Sequence, residues 1–212
     1  MYNIKFSIYN NVLCEIMSEE DTLEDIIDIS LEGRPSKEEK NYLQNSEKWA
    51  EYAFATDKVF YMTVYKDNQV VACISYDMFG ITIDFLDFQA DKLIVYLTLV
   101  YDKYDMDIFF DKDEKVRYEN NNLFLSKIVS YSFDTNKNTT SEIFFRNNGL
   151  ATITITEIYP DENDWNTQEM DTQVNISHNF IRCPDNYLEF EYLLDYQKNI
   201  KSEYFDLQSI QS

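Results

Sequence analysis

Residues 147–180 read NNGLATITITEIYPDENDWNTQEMDTQVNISHNF, a stretch without a single lysine or arginine. Asn148-Gly149 is the strongest hairpin signal in the chain, because both central residues of a type I′ turn need positive φ. The segment 150–159 then alternates as a half-buried strand does. A loop whose charged groups are all acidic follows, carrying Asp161, Glu162, Asp164 and Trp165, and a second strand is expected over 173–182. The stretch therefore predicts a regular β scaffold that presents a negatively charged loop with a tryptophan.

The same texture recurs elsewhere in the chain. In 58–76 two apolar runs flank Lys66-Asp67-Asn68-Gln69, a second hairpin, and Phe79-Gly80 turns into a further strand over 81–88. Strands are also expected at 106–110, 123–133 and 142–146. At the N-terminus Tyr2, Ile4, Phe6 and Ile8 share one face of a strand. Two helices come next. Ser18 with Asp21, and Ser36 with Glu39, have capping-box spacing; Gly33 and Pro35 end the first helix, and Asn45-Ser46 marks a break in the second. The run LIVYLTLVYDKY at 93–104 has β-rich composition but the length of a helix, and a continuous apolar run has no period to decide between them. A helix lying on the sheet is preferred there. Leu188, Tyr192, Leu193 and Tyr196 predict a final helix over 187–196. The expected class is α+β: a mostly antiparallel sheet with two N-terminal helices, a mid-chain helix and a C-terminal helix. One acidic domain over 1–212 is expected, with 58–104 loosely echoed by 142–200.

Composition narrows the function. The 212 residues carry 39 Asp and Glu against 18 Lys and Arg, a formal net charge of -21, so contact with a nucleic-acid backbone is disfavoured by repulsion. Solubility alone, or an acidic proteome, is the plain explanation of such a charge; a basic protein partner is the sharper one. Three cysteines at wide spacing, Cys14, Cys73 and Cys183, build neither a disulfide framework nor a metal knuckle. The first ten residues lack the regions of a signal peptide, and the longest apolar run is far below the roughly 18 residues that span a bilayer. A reducing cytoplasm and no membrane contact are the expectation.

Catalytic signals are sparse. The one histidine, His178, has no orienting carboxylate or nucleophile legible beside it, and a structural role is its simpler reading. The three glycines lie too far apart for a phosphate loop, so no cofactor is expected. Asp105, Asp107, Asp111, Asp113 and Glu114 form the densest acidic cluster and resemble a hard-cation site, but Lys112 and Lys115 sit among them, and a solvated strand end explains them more simply. No metal site is assigned.

Two long windows without a basic residue remain. One, between Lys66 and Lys92, holds Asp67, Asp77, Asp84, Asp87 and Asp91; the other, between Arg146 and Arg182, holds Glu157, Asp161, Glu162, Asp164, Glu169 and Asp171 around Trp165. Potential adds in such windows instead of cancelling, and tryptophan is enriched at interface hot spots, although Trp165 could equally fold back onto the sheet. The segments KVFYMTVYKDNQVVACISYD (58–77) and EIFFRNNGLATITITEIYPDENDW (142–165), set in this acidic chain, resemble the immunity proteins that bacteria encode beside contact-dependent and other polymorphic toxins. That resemblance implies a small cytoplasmic inhibitor, not an enzyme, that covers a cognate toxin domain, often a basic nuclease. Two other readings stand beside it: a phage-type mimic of nucleic acid that occupies a defence enzyme's DNA channel, and a carboxylate- or metal-dependent enzyme.

Overall fold

The computed structural model describes residues 2–89, 91–112, 114–134, 137–159 and 164–204, without the side chains of residues 107, 110 and 111. The chain divides into two compact units: everything up to Val95 together with Pro184–Glu191, and Tyr96–Cys183 together with the chain from Tyr192 on. The class is α+β with mostly antiparallel strands, as expected. Among the described residues no helix is long and apolar enough to cross a membrane.

The sheet of the first unit runs β1 (Tyr2–Lys5), β4 (Phe60–Lys66), β5 (Gln69–Tyr76) and β6 (Gly80–Gln89) in spatial order, every pair antiparallel, while β2 (Tyr9–Asn10) and β3 (Glu15–Ile16) form a small ribbon of their own. The predicted hairpin at 58–76 is β4–β5, with Asp67 and Asn68 at φ 51° and 66°, the left-handed pair of a type I′ turn. The helices are α1 (Glu19–Asp25), prolonged by a π turn over Ile26–Ser30, α2 (Glu39–Tyr42) and α3 (Ser46–Ala55). One full capping box forms, with Ser36 and Glu39 bonding reciprocally at 3.2 and 2.6 Å; at α1 Ser18 caps the helix by accepting the Asp21 amide at 3.1 Å, but its hydroxyl rather than its backbone N–H donates to the Asp21 carboxylate, at 2.6 Å. The expected break precedes α3, where Asn45 caps the new helix by accepting the Lys48 amide at 3.0 Å.

Strand alternation gives this sheet two unlike faces. Phe60, Met62, Val64, Ile74, Tyr76 and Ile83 share one, all buried. Trp49 of α3 is buried as well and its indole N–H donates to the Val59 carbonyl at 2.8 Å, while the Phe60 ring lies 4.9 Å from that of Tyr76 and 6.3 Å from that of Phe190. Tyr61, Thr63, Cys73, Ser75 and Asp84 alternate onto the other face, where the Ser7 hydroxyl donates to that of Thr63 at 3.0 Å.

Beyond the turn residue Asp91, at φ 62°, begins β7 (Lys92–Asp102). This corrects the helix preferred for 93–104. The β-branched and aromatic content decided what periodicity could not, and Leu97, Leu99 and Tyr101 are buried in strand alternation. The opposite correction falls at α4 (Met106–Lys112), expected as a strand: Asp105 is its N-cap, accepting the Ile108 amide at 3.2 Å. The second unit continues with β8 (Asn122–Phe133), β9 (Asn138–Phe145), β10 (Leu150–Tyr159) and β11 (Asp164–Gln173), which follow β7 in spatial order; the three-residue β12 (Phe180–Arg182) pairs with the start of β8. The strand expected over 173–182 is thus only β12, preceded by a 3-10 turn over Ile176–His178. The C-terminal helix is α5 (Tyr196–Asn199), one turn long, after a 3-10 turn at Glu191–Leu194, and so later and shorter than the expected 187–196.

Candidate functional site

The acidic surface of the second unit is aimed by the β9–β10 hairpin. Gly149 sits at φ 85° and donates to the Arg146 carbonyl at 3.0 Å, but Asn148 has no positive φ. The connection is therefore a three-residue loop closed by a glycine bulge, not the expected type I′ turn. It brings β10 against β9 with Ile153 opposite Ile143 and Thr154 opposite Glu142. From there alternation does the sorting. Ala151, Ile153, Ile143 and Phe145 turn inward and are buried, with the Tyr204 ring 4.7 Å from that of Phe145. Thr152, Thr154, Thr156 and Ile158 turn outward.

The acidic loop of the sequence reading is in fact largely a strand. β11 pairs with β10 over its full length, Trp165 opposite Ile158, Glu169 opposite Thr154 and Asp171 opposite Thr152. It is the last strand in the order, so on its far side alternate backbone N–H and C=O groups face away from the sheet. Eight of its ten residues are exposed, and it has no basic residue or proline. Trp165 is 70% exposed, and the same cross-strand row of the outer face holds Ile158 beside it at 44% and, beyond Asn138, Phe133 at 51%; this is the exposed alternative of the two readings of the tryptophan. Phe133 was not legible as part of the site, because its strand had to be registered through β9 first.

Charge on this face is unevenly cancelled. Glu142 pairs with Lys127 at 2.5 Å, and Glu157, on the other face, pairs with Lys137 at 2.6 Å and accepts from Tyr159 at 2.8 Å. Those two bonds hold the Glu157 carboxyl below the usual carboxylate range. On the outer face Asp171 accepts the Thr152 hydroxyl at 2.7 Å; Asp164, opposite Tyr159 and so on the other face with Glu157, accepts the Trp165 amide at 2.8 Å. Among the described residues no lysine or arginine forms an ion pair with Asp164, Glu169 or Asp171. Asp161 and Glu162 lie outside the described residues.

The other predicted carboxylates, Asp77, Asp84 and Asp87, belong to the first unit and do three different things. Asp77 builds the β5–β6 corner, accepting the Phe79 and Gly80 amides at 2.7 and 2.8 Å. Asp84 is half-buried near Cys73 and Tyr9, and burial pushes both the Cys73 thiol and the Tyr9 hydroxyl up to about 12, with Asp84 adding to each. Asp87 is exposed at the end of β6 and accepts the Phe88 amide at 2.8 Å.

Cys73, protonated and buried, is no nucleophile at neutral pH. Among the described residues no three His, Cys, Asp or Glu side chains gather to hold a metal. Asp105 of the dense acidic cluster is committed to capping α4 and to the Asn147 amide, Asp113 lies outside the described residues, and His178 stands exposed in a 3-10 turn. No protein-family model matches the sequence, and no curated protein or solved structure matches it either.

Proposed function

We propose that this chain is a non-enzymatic binding protein that captures and neutralises a basic effector, as an immunity protein caps its cognate toxin domain in the bacterial cytoplasm. The observation that carries the reading is β11: a ten-residue edge strand bearing Trp165 at 70% exposure and the carboxylates of Asp164, Glu169 and Asp171, which form no ion pair with a lysine or arginine among the described residues. Such an edge supplies both parts of a tight polar interface, a field that steers a cation inward and an aromatic anchor to be desolvated on arrival. The residue types on the face, threonine, aromatic and carboxylate, suit contact with arginine and lysine side chains and repel phosphate.

The test is to express the product of the reading frame immediately upstream, alone and with this chain. The expected outcome is growth arrest relieved by co-expression, and a purified complex whose Kd rises at least about 10-fold between ~0.05 and ~0.5 M salt as screening shortens. A complex with a salt-independent Kd, or one bound equally well by a Trp165→Ala/Glu169→Gln/Asp171→Asn variant, overturns the reading.

A further inference from the structure

A cleft of about 790 Å³ opens in the first unit, away from β11 in sequence, where three hairpin ends meet: Leu13 to Glu15 at the β2–β3 turn, Asn68 to Val70 at the β4–β5 turn, and Asp87, Phe88 and Asp91 to Leu93 at the β6–β7 connection. Its rim is set by backbone rather than by adjustable side chains. Cys14, Asn68 and Asp91 stand at φ 55°, 66° and 62°, and Asn10 pins the first tip by accepting the Val12 and Leu13 amides, each at 2.9 Å. The floor is anchored too, since the Tyr9 hydroxyl donates to the Leu93 carbonyl at 2.7 Å, and Leu93 and Val70 pack against the buried Tyr9, Cys73 and Leu86.

Folding alone does not account for what lines this space. Leu13 is 61% exposed and Phe88 65%, with Val12 at 90% beside Leu13, although a buried apolar cluster lies directly beneath. Large apolar side chains gathered at one concavity mark a contact site. The charged groups around them are Glu15, Asp87 and Asp91 against Lys92 alone, so the cleft is net negative. A second copy of this chain would set carboxylate on carboxylate, a nucleic acid would be repelled, and a purely apolar ligand would strip three carboxylates of water. We infer that the cleft is a binding site for a peptide segment in which an apolar side chain, seated between Leu13 and Phe88, is flanked by arginines or lysines that meet Glu15, Asp87 and Asp91. This site does not depend on the role proposed for β11.

The probe is a synthetic peptide of alternating arginine and leucine, with a glutamate-leucine peptide as control, titrated into the full isotopically labelled chain and followed by amide chemical shifts. Shifts should concentrate at Leu13, Asn68, Phe88, Asp91 and Leu93 with the cationic peptide and be absent with the anionic one. The variant Asp87→Asn/Asp91→Asn keeps an acceptor for the Phe88 amide and a residue type that tolerates the left-handed turn, so it retains the fold while weakening binding by about 5-fold. Phe88→Ala should weaken it as well, whereas Trp165→Ala should leave the shifts at the cleft unchanged. Shifts spread evenly over the acidic surface, or an Asp87→Asn/Asp91→Asn variant that binds as the native chain does, overturn the proposal whatever becomes of β11.

Discussion

Replacing Trp165 with alanine should separate binding from folding, and the structure sets both magnitudes. At 70% exposure, less than a third of the side chain leaves water on folding. For a tryptophan of about 250 Å² that is about 75 Å², worth at ~25 cal/mol per Å² no more than about 2 kcal/mol, and about 1 kcal/mol once the unfolded chain's own partial burial is allowed for. Trp49, the only other tryptophan, provides the internal comparison. It is fully buried with its N–H on the Val59 carbonyl at 2.8 Å, and Trp49→Phe leaves both a cavity and an unpartnered carbonyl, a loss of about 3 kcal/mol. Urea unfolding followed by far-ultraviolet circular dichroism, which does not rely on the altered fluorophore, measures the two. In the complex with its basic partner the order reverses: Trp165→Ala should raise Kd about 30-fold, the weight of a hot spot of about 2 kcal/mol. If Trp165→Ala proves as destabilising as Trp49→Phe, the indole is folded onto the sheet and is no exposed anchor.

Glu39 should govern part of the acid stability. Its bonds to Lys58, at 2.9 Å, and to the Ser36 amide hold its carboxyl at about 2, below the ordinary 4.5 of the unfolded chain, so its contribution is complete above pH 4.5 and lost as pH falls through 2. Glu39→Gln should therefore lower the free energy of unfolding by about 1–2 kcal/mol at pH 7, after discounting for a partly exposed Lys58, and by nearly nothing at pH 2; a difference that stays constant with pH contradicts the pairing. Gly149→Ala places a Cβ 3.1 Å from the Val174 carbonyl oxygen at φ 85°, and should lose about 1–2 kcal/mol in the same urea assay. An unchanged unfolding midpoint would mean that the β9–β10 loop is not closed by that glycine.

The parts of the fold that were legible in the sequence are those where local chemistry and long-range packing agree. Asp67-Asn68 both favour left-handed backbone, and the apolar alternation on either side fixed the β4–β5 register. Ser36 and Glu39 could be read as a helix start because the two bonds they form are local. The run at 93–104 was misread because burial on both faces erases the period that distinguishes helix from strand. Asp105 reads in the sequence as the end of a solvated strand, with a hard-cation site as the less favoured alternative, whereas its place just before Met106 makes it a helix cap. The hardest segment was β11. DWNTQEMDTQ has almost no apolar residue on either face, since an edge strand with little packed against it has no core side to declare. The acidity and the tryptophan were visible, but that they stand in a row on a strand was not, and the outer face joining Trp165 to Ile158 and Phe133 required the pairing of four strands.

The field around β11 should be negative, since among the described residues its carboxylates form no ion pair with lysine or arginine, and fluorescence quenching of Trp165 tests this without any partner. Trp49 is sealed in the core, so the quenchable emission of the native chain reports Trp165, with Trp165→Ala as the blank. Normalised to a free tryptophan derivative, caesium should quench more strongly than iodide at low salt, and the gap should narrow in Glu169→Gln/Asp171→Asn. Equal quenching by the two ions, or a gap that those substitutions leave unchanged, would contradict it.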